Sequence, residues 1–270
     1  MLPLTLYHYT TAAGFEGILQ KFKIRATNLT YMNDPSELEY GKQIVNRTLD
    51  REIKVTTGLA RLLLTEASRA LDKSAVAEVY VACFTLLRDN LGQWRSYGGS
   101  GGERYSIGFN PGVLQEATFL VQDAQLTKVS YAAAVQVQRI RTVLRRAIDF
   151  ITREKIAKRQ IRPHAIEIAR RLAQLIPALK TRAYSTEREW RIVIIRPSSV
   201  VADIAFDTSR GVVRPYVPFL VRTPDEHGIK AVHVLAPTRP AAAVKAANLV
   251  LRCAQVRTIT AKQSRVPFAE

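Results

Sequence analysis

Two carboxylates separated by a single residue, Glu187 and Glu189 in STEREWRIV, stand at the entry to an apolar, β-prone run. On a strand they share a face, and like charges so placed raise the pKa of one of them. The bland alternative is an exposed pair neutralised by Arg188 and Arg191. His8 lies between Tyr7 and Tyr9 in LTLYHYTT, so it shares a strand face with Thr10 and opposes the tyrosines. An imidazole and a hydroxyl at that spacing suit a ribose or an amide. If the tyrosines anchor the strand in the core, the His8 side faces a cleft or solvent. Trp94 and Tyr97 in DNLGQWRSYG are three apart and share a helix face, a spacing that fills cores more often than it stacks on ligands. The glycines that follow, Gly98, Gly99, Gly101 and Gly102, permit close backbone approach to a phosphate.

A metal reading attaches to MNDPSELEYG, where Asn33, Asp34, Glu37 and Glu39 offer the oxygen ligands of a metal-dependent nuclease. A capping box explains most of it: Asp34 as N-cap, Pro35 at the first helical position and Glu37 at the third. His164, His227 and His233 lack ligand spacing, and two cysteines cannot build a zinc site. No metal is assigned. Cys83 and Cys253 sit in apolar stretches and read as buried small hydrophobes in a reduced compartment.

Strands at LTLYHYT, KIRATN, VYVACFT, RYSIGFN, LTKVSY, EWRIVII, GVVRPYVPFLV and AVHVLAP hold these residues, with helices near 12–20, 36–54 and 59–74 and a short one at DNLGQWRSYG. The stretch 131–182 interrupts this alternation with two amphipathic helical patterns, the second broken at Pro177. The expectation is an α+β fold: one domain over residues 1–270, with a mixed, mostly antiparallel sheet core, surrounding helices and a basic helical insertion at about 131–182.

Charge is concentrated in that insertion. The chain carries 40 basic and 23 acidic residues, a net +17, and residues 131–182 alone hold 13 basic against three acidic. Arg139, Arg141, Arg145, Arg146 and Arg153 lie largely off the apolar stripe of the first insertion helix. They suit a phosphate backbone read without base stacking, because aromatics are scarce among them, Phe150 alone falling between Arg139 and Arg153. No apolar run is long enough to span a membrane, and the start lacks the pattern of a secretory signal. The expectation is a cytoplasmic protein that meets nucleic acid, with no membrane partner.

The ordered series YHYT, MNDPSELEYG, VACFT, DNLGQWRSYG, YSIGFN, EREWRIV and a later PY resembles a bacterial family known only as a domain of unknown function, number twenty-nine seventy-one. More distantly, the early strand histidine, the following threonine and the Ile-Leu helix resemble the opening of ADP-ribosyltransferase-like proteins. That resemblance implies an NAD-using transferase, a toxin or phage-defence effector acting on nucleic acid, with an antitoxin or other protein partner left open. His8 and Thr10 would meet the ribose or the nicotinamide amide. Tyr31, Trp94 or Tyr97 would stack on nicotinamide, and Glu189, with Glu187 beside it, would serve catalysis. A non-enzymatic nucleic-acid-binding protein is the alternative, and a metal-dependent nuclease ranks third.

Overall fold

Thr11, its backbone extended, accepts a hydrogen bond from the Gly14 amide at 3.3 Å and so turns strand β1 (Leu6–Thr11) into helix α1 (Ala12–Lys21). Phe22, in the left-handed region, ends that helix and leads into β2 (Lys23–Asn28). The computed structural model describes residues 2–32, 36–73, 77–97, 102–197, 199–209 and 211–267. Beyond β2 come α2 (Ser36–Val55), α3 (Gly58–Lys73), β3 (Ala77–Thr85) and α4 (Leu91–Tyr97). They are followed by β4 (Arg104–Phe109), α5 (Pro111–Phe119), β5 (Ala124–Lys128), α6 (Ala133–Arg153) and α7 (Ile161–Leu175). The chain continues with β6 (Glu189–Pro197), β7 (Ala205–Asp207), β8 (Arg214–Leu220), β9 (Ile229–Leu235), α8 (Pro240–Cys253) and β10 (Ala261–Gln263).

The strands form a mixed, mostly antiparallel sheet in the order β10-β9-β4-β1-β3-β2-β8-β7, with β6 paired to β3 and β5 to β6. The β9–β10 pair is parallel and the other pairs among these described strands are antiparallel. Strand β3 pairs with β6 along its whole length, from Ala77 opposite Pro197 to Thr85 opposite Glu189. Its other edge is shared: β2 meets it at Tyr80 and Val81, and β1 meets it at Thr85. The sheet therefore forks beside residues 82–84.

One face of the sheet packs on α1, α5 and α8 through Phe15, Leu114, Leu251 and the strand residues Phe84, Ile107 and Ile192. The other carries Val81, Val193 and Ile195, which meet Leu38 of α2 and Ala173 of α7. Behind them α2, α3, α6 and α7 share one buried cluster that includes Val45, Leu63, Ile140 and Ile168. The basic segment thus packs into a layer built jointly with α2 and α3, and its apolar stripe supplies the contact. Helices α5 and α8 were not evident in the sequence pattern. Cys253 is exposed at the end of α8 rather than buried, and Cys83 is half-buried. Among the described residues, no helix is long and apolar enough to cross a membrane.

Candidate active site

At the fork, His8 presents Nδ1 to the Cys83 carbonyl at 2.9 Å. A carbonyl only accepts, so Nδ1 carries the proton and Nε2 is left as an acceptor. Burial holds the imidazole below its ordinary pKa, partly offset by that carbonyl, and keeps it neutral near pH 7. A cavity of about 110 Å³ opens beside it, lined by His8, Cys83, Gln93, Tyr97, Glu187 and Glu189 among others. Gln93 and Tyr97 arrive on α4, whose start is set by the Asn90 side chain accepting from the Gln93 amide at 3.2 Å. Tyr9 fixes the preceding loop, donating to the Leu87 carbonyl at 2.8 Å and accepting from the Asn90 amide at 3.1 Å.

The carboxylates converge because the residue between them is left-handed. Arg188 has φ 46° and ψ 47°, closing the 3-10 turn Arg182–Glu187 just before β6 starts. Glu187 and Glu189 both reach Lys180 Nζ, at 2.7 and 3.1 Å, and Glu37 of α2 reaches it at 2.8 Å. Arg191 grips Glu189 through Nε at 2.7 Å and Glu37 at 2.6 Å, and donates to the Pro177 carbonyl at 2.7 Å. Lys180, Glu189 and Arg191 are each at most 4% exposed, whereas Glu187 keeps 23% of its side chain in contact with solvent. Burial alone would raise Glu189, but Arg191 and Lys180 overcome it and hold the carboxyl below the ordinary range. Burial wins for Glu187, which is raised despite its bond to Lys180. The same burial opposes charge on Lys180, yet the carboxylates around it push its pKa upward. Two carboxylates one residue apart are thus driven in opposite directions. Burial also raises Tyr97, as do the neighbouring Cys83, Glu187 and Glu189, and it raises Tyr131 to about 12. The Tyr131 hydroxyl accepts from the Glu189 amide at 2.9 Å.

Strand register separates His8 from the carboxylates in a way β1 alone does not reveal. Tyr7 stands opposite Thr85, and Thr85 opposite Glu189, so all three point to one side, as do Cys83 and Arg191. His8 points to the other, its ring 5.8 Å from that of Phe84. The alternation of β1 assigns a ligand to the His8–Thr10 side; the structure puts the carboxylates on the tyrosine side, and His8 borders the cavity at the fork. Thr10 lies outside the cavity. It packs over Gly14, where a Cβ would fall 2.0 Å from the Thr10 hydroxyl oxygen. Trp94 is fully buried, donates to Asp89 at 2.7 Å and meets Tyr9 edge-on at 4.7 Å, so it fills core rather than contacting a ligand. Tyr31 is 48% exposed and does not line the cavity. Of the three aromatic candidates, only Tyr97 does.

Asn33, Asp34 and Pro35 lie outside the described residues, as do Gly98, Gly99 and Gly101. Glu37 turns inward to Lys180 and Arg191, a role its capping spacing does not suggest. Among the described residues no group of three or more His, Cys, Asp or Glu side chains is placed to hold a metal ion. Lys180 was missed as a site residue, and Arg191 and Glu37 were read in other roles, an exposed neutraliser and a helix cap, because the contacts that join Glu37 to the two cations form only on folding. A lysine at the end of the apolar run LIPALK was the available signal.

The five insertion arginines divide. Arg139 donates to the Lys128 carbonyl, Ser130 and Thr127 within 2.9 Å, and burial lowers its pKa. Arg141 binds Glu52 of α2 at 2.7 Å. Arg153 pairs with Glu154 in solvent. Arg145 and Arg146 are exposed, and so are Lys158, Arg159 and Arg162 at the α6–α7 turn. None of these five forms an ion pair among the described residues.

Residues 93–192 match the model of a family described as a protein of unknown function (DUF2971). The matched stretch takes in Tyr97, Lys180, Glu187, Glu189 and Arg191 and leaves His8 outside it. No curated protein and no solved structure matches the chain.

Proposed function

We propose that the cavity is the reaction centre of an ADP-ribosyltransferase-like enzyme that uses NAD as its glycosyl donor and nucleic acid as its acceptor. The observation that carries this reading is the lining of one cavity at a fork in the sheet by a tautomer-fixed histidine, an aromatic ring and two carboxylates. NAD would supply a nicotinamide–ribose bond whose cleavage places positive charge on the sugar, as glycoside hydrolysis does. Glu189, kept ionised by Arg191 and Lys180, offers fixed negative charge where that charge develops. Glu187, more exposed and with a raised pKa, is suited to take the proton of an acceptor group. His8 offers Nε2 to a ribose hydroxyl or an amide N–H, and Tyr97 offers an aromatic surface. The three carboxylates around Lys180 and Arg191 leave the cluster with a formal charge of −1 when all are ionised, which favours a cationic ring.

A second reading, nucleic-acid binding without chemistry, is favoured by the exposed Arg145, Arg146, Lys158, Arg159 and Arg162. Release of free nicotinamide from NAD separates the two. The wild-type protein should release it, faster with nucleic acid present. Glu187→Gln and Glu189→Gln should each lower the rate by about 100-fold or more, the loss expected when a developing charge or a proton acceptor is removed. NAD left intact by wild type, with oligonucleotide still bound, would leave only the second reading.

A further inference from the structure

Charge is distributed unevenly along this cavity. The carboxylates and their cations sit on β6 and behind it, whereas the opposite prong of the fork contributes Arg25 from β2. Among the described residues lining the cavity, Arg25 is the one arginine or lysine, and His8 is neutral near pH 7. Register places it on the carboxylate side of the sheet. Thr27 stands opposite Val81, and Arg25, Thr27, Val81, Thr85 and Glu189 alternate onto one face. Arg25 and Glu189 lie on different neighbours of β3, so at least two strand spacings, ~10 Å of backbone separation, divide them.

Arg25 is held in place although 57% of its side chain is exposed. Its guanidinium binds Asp207 at 3.0 Å and lies 5.1 Å from the centre of the Tyr216 ring. Asp207 is itself anchored by Arg214 at 3.1 Å and by the Ser209 amide at 3.1 Å. A guanidinium gripped on one side and over a ring retains N–H donors, and its orienting cost is already met before a ligand arrives. A cavity of about 110 Å³ admits one ring-sized group. The rest of a dinucleotide must cross its rim.

We infer that Arg25 is a phosphate anchor: it binds the 5′-phosphate of a nicotinamide nucleotide while the nicotinamide–ribose end enters toward Glu189. The inference rests on the NAD reading and deepens it by assigning the ligand's direction. The acidic cluster attracts the cationic ring, and Arg25 attracts the anionic tail, so one orientation satisfies both and the reverse satisfies neither. Arginine also matches phosphate oxygens in a two-pronged way that lysine does not.

Calorimetric titration with nicotinamide riboside and with nicotinamide mononucleotide, which differ by that phosphate, tests the assignment on the full chain. Wild type should bind the mononucleotide at least about 10-fold more tightly than the riboside, the scale of a charge-assisted contact. Arg25→Gln should erase that preference while leaving riboside affinity within about twofold, and Arg25→Lys should retain part of it. A melting temperature near that of wild type in each variant confirms that the fold is intact. Riboside binding with a phosphate preference unchanged in Arg25→Gln overturns the anchor and leaves the NAD reading standing. No binding of either compound by wild type overturns both.

Discussion

Glu189 and Glu187 show how one residue's displacement changes a carboxylate's role. Glu189 opens β6, where Arg191 shares its face and Lys180 closes over it; Glu187 precedes the left-handed Arg188 and stays nearer solvent. Their contributions to stability carry opposite signs. Glu189 is depressed, so its stabilisation is present above the unfolded carboxyl value of about 4.3 and is lost as pH falls through its folded value. Glu187 is raised, so stability is gained as pH falls through its folded value. Glu189→Gln should therefore lower stability near pH 7 by about 3–5 kcal/mol, since it leaves Lys180 and Arg191 short of a buried counter-charge. On acidification to about pH 3 it should lose less further stability than wild type. Glu187→Gln should be close to neutral near pH 7. Melting curves across that pH range check both, and equal destabilisation by the two variants would contradict the division.

The basic helices act differently at their two ends. At the root, Gln136 of α6 donates to the Ser130 and Lys180 carbonyls at 2.7 and 2.8 Å and accepts from Tyr40 at 2.9 Å. Ser130 also exchanges backbone bonds with Ala178 and Lys180, so the root fixes the lysine on which the carboxylates converge. The tip carries the exposed cations. Replacing Arg145, Arg146 and Arg162 with Gln should flatten the salt dependence of oligonucleotide affinity, by about 0.7–0.9 in logarithmic slope for each phosphate no longer neutralised. Fluorescence anisotropy at several salt concentrations measures it, and an unchanged slope would mean that this end meets solvent alone. Arg139→Gln should lower the melting temperature instead, because its partners are the chain's own Thr127, Ser130 and Lys128. The sequence distinguishes the arginines from the apolar stripe but not root from tip, since that distinction depends on which element lies alongside. Strand patterns were legible where alternation or an apolar run was clear, as in β3, β4 and β6. Helix α5 escaped because nine residues are too few to show a clear helical period, although Asn110 and Pro111 spell a cap and a first turn. Helix α8 likewise begins with Pro240 and is rich in alanine.

For the molecule as a whole, three layers converge on the fork. The sheet supplies His8, Arg25 and Glu189, α4 supplies Gln93 and Tyr97, and the four-helix layer supplies Glu37 and braces Lys180. The residues of the candidate site were partly readable, because His8, Tyr97, Glu187 and Glu189 are unusual where they stand. Arg191 was readable only as a neighbour of the pair, and the tie to Glu37 was not, since Glu37 and Arg191 are 154 positions apart and meet only after folding. A ligand that joins the prongs of the fork binds the native state and not the unfolded chain, so it must raise the melting temperature in proportion to RT ln(1 + [L]/Kd). Thermal unfolding of wild type and His8→Ala across a series of NAD concentrations reads this out. Truncating His8 removes its bond to the Cys83 carbonyl, so His8→Ala should melt somewhat below wild type without NAD, and the quantity compared is each protein's rise with NAD. The wild type should then climb steadily with NAD while His8→Ala stays flat. A wild-type melting temperature indifferent to NAD, or a rise that His8→Ala shares in full, would contradict the assignment of this cavity.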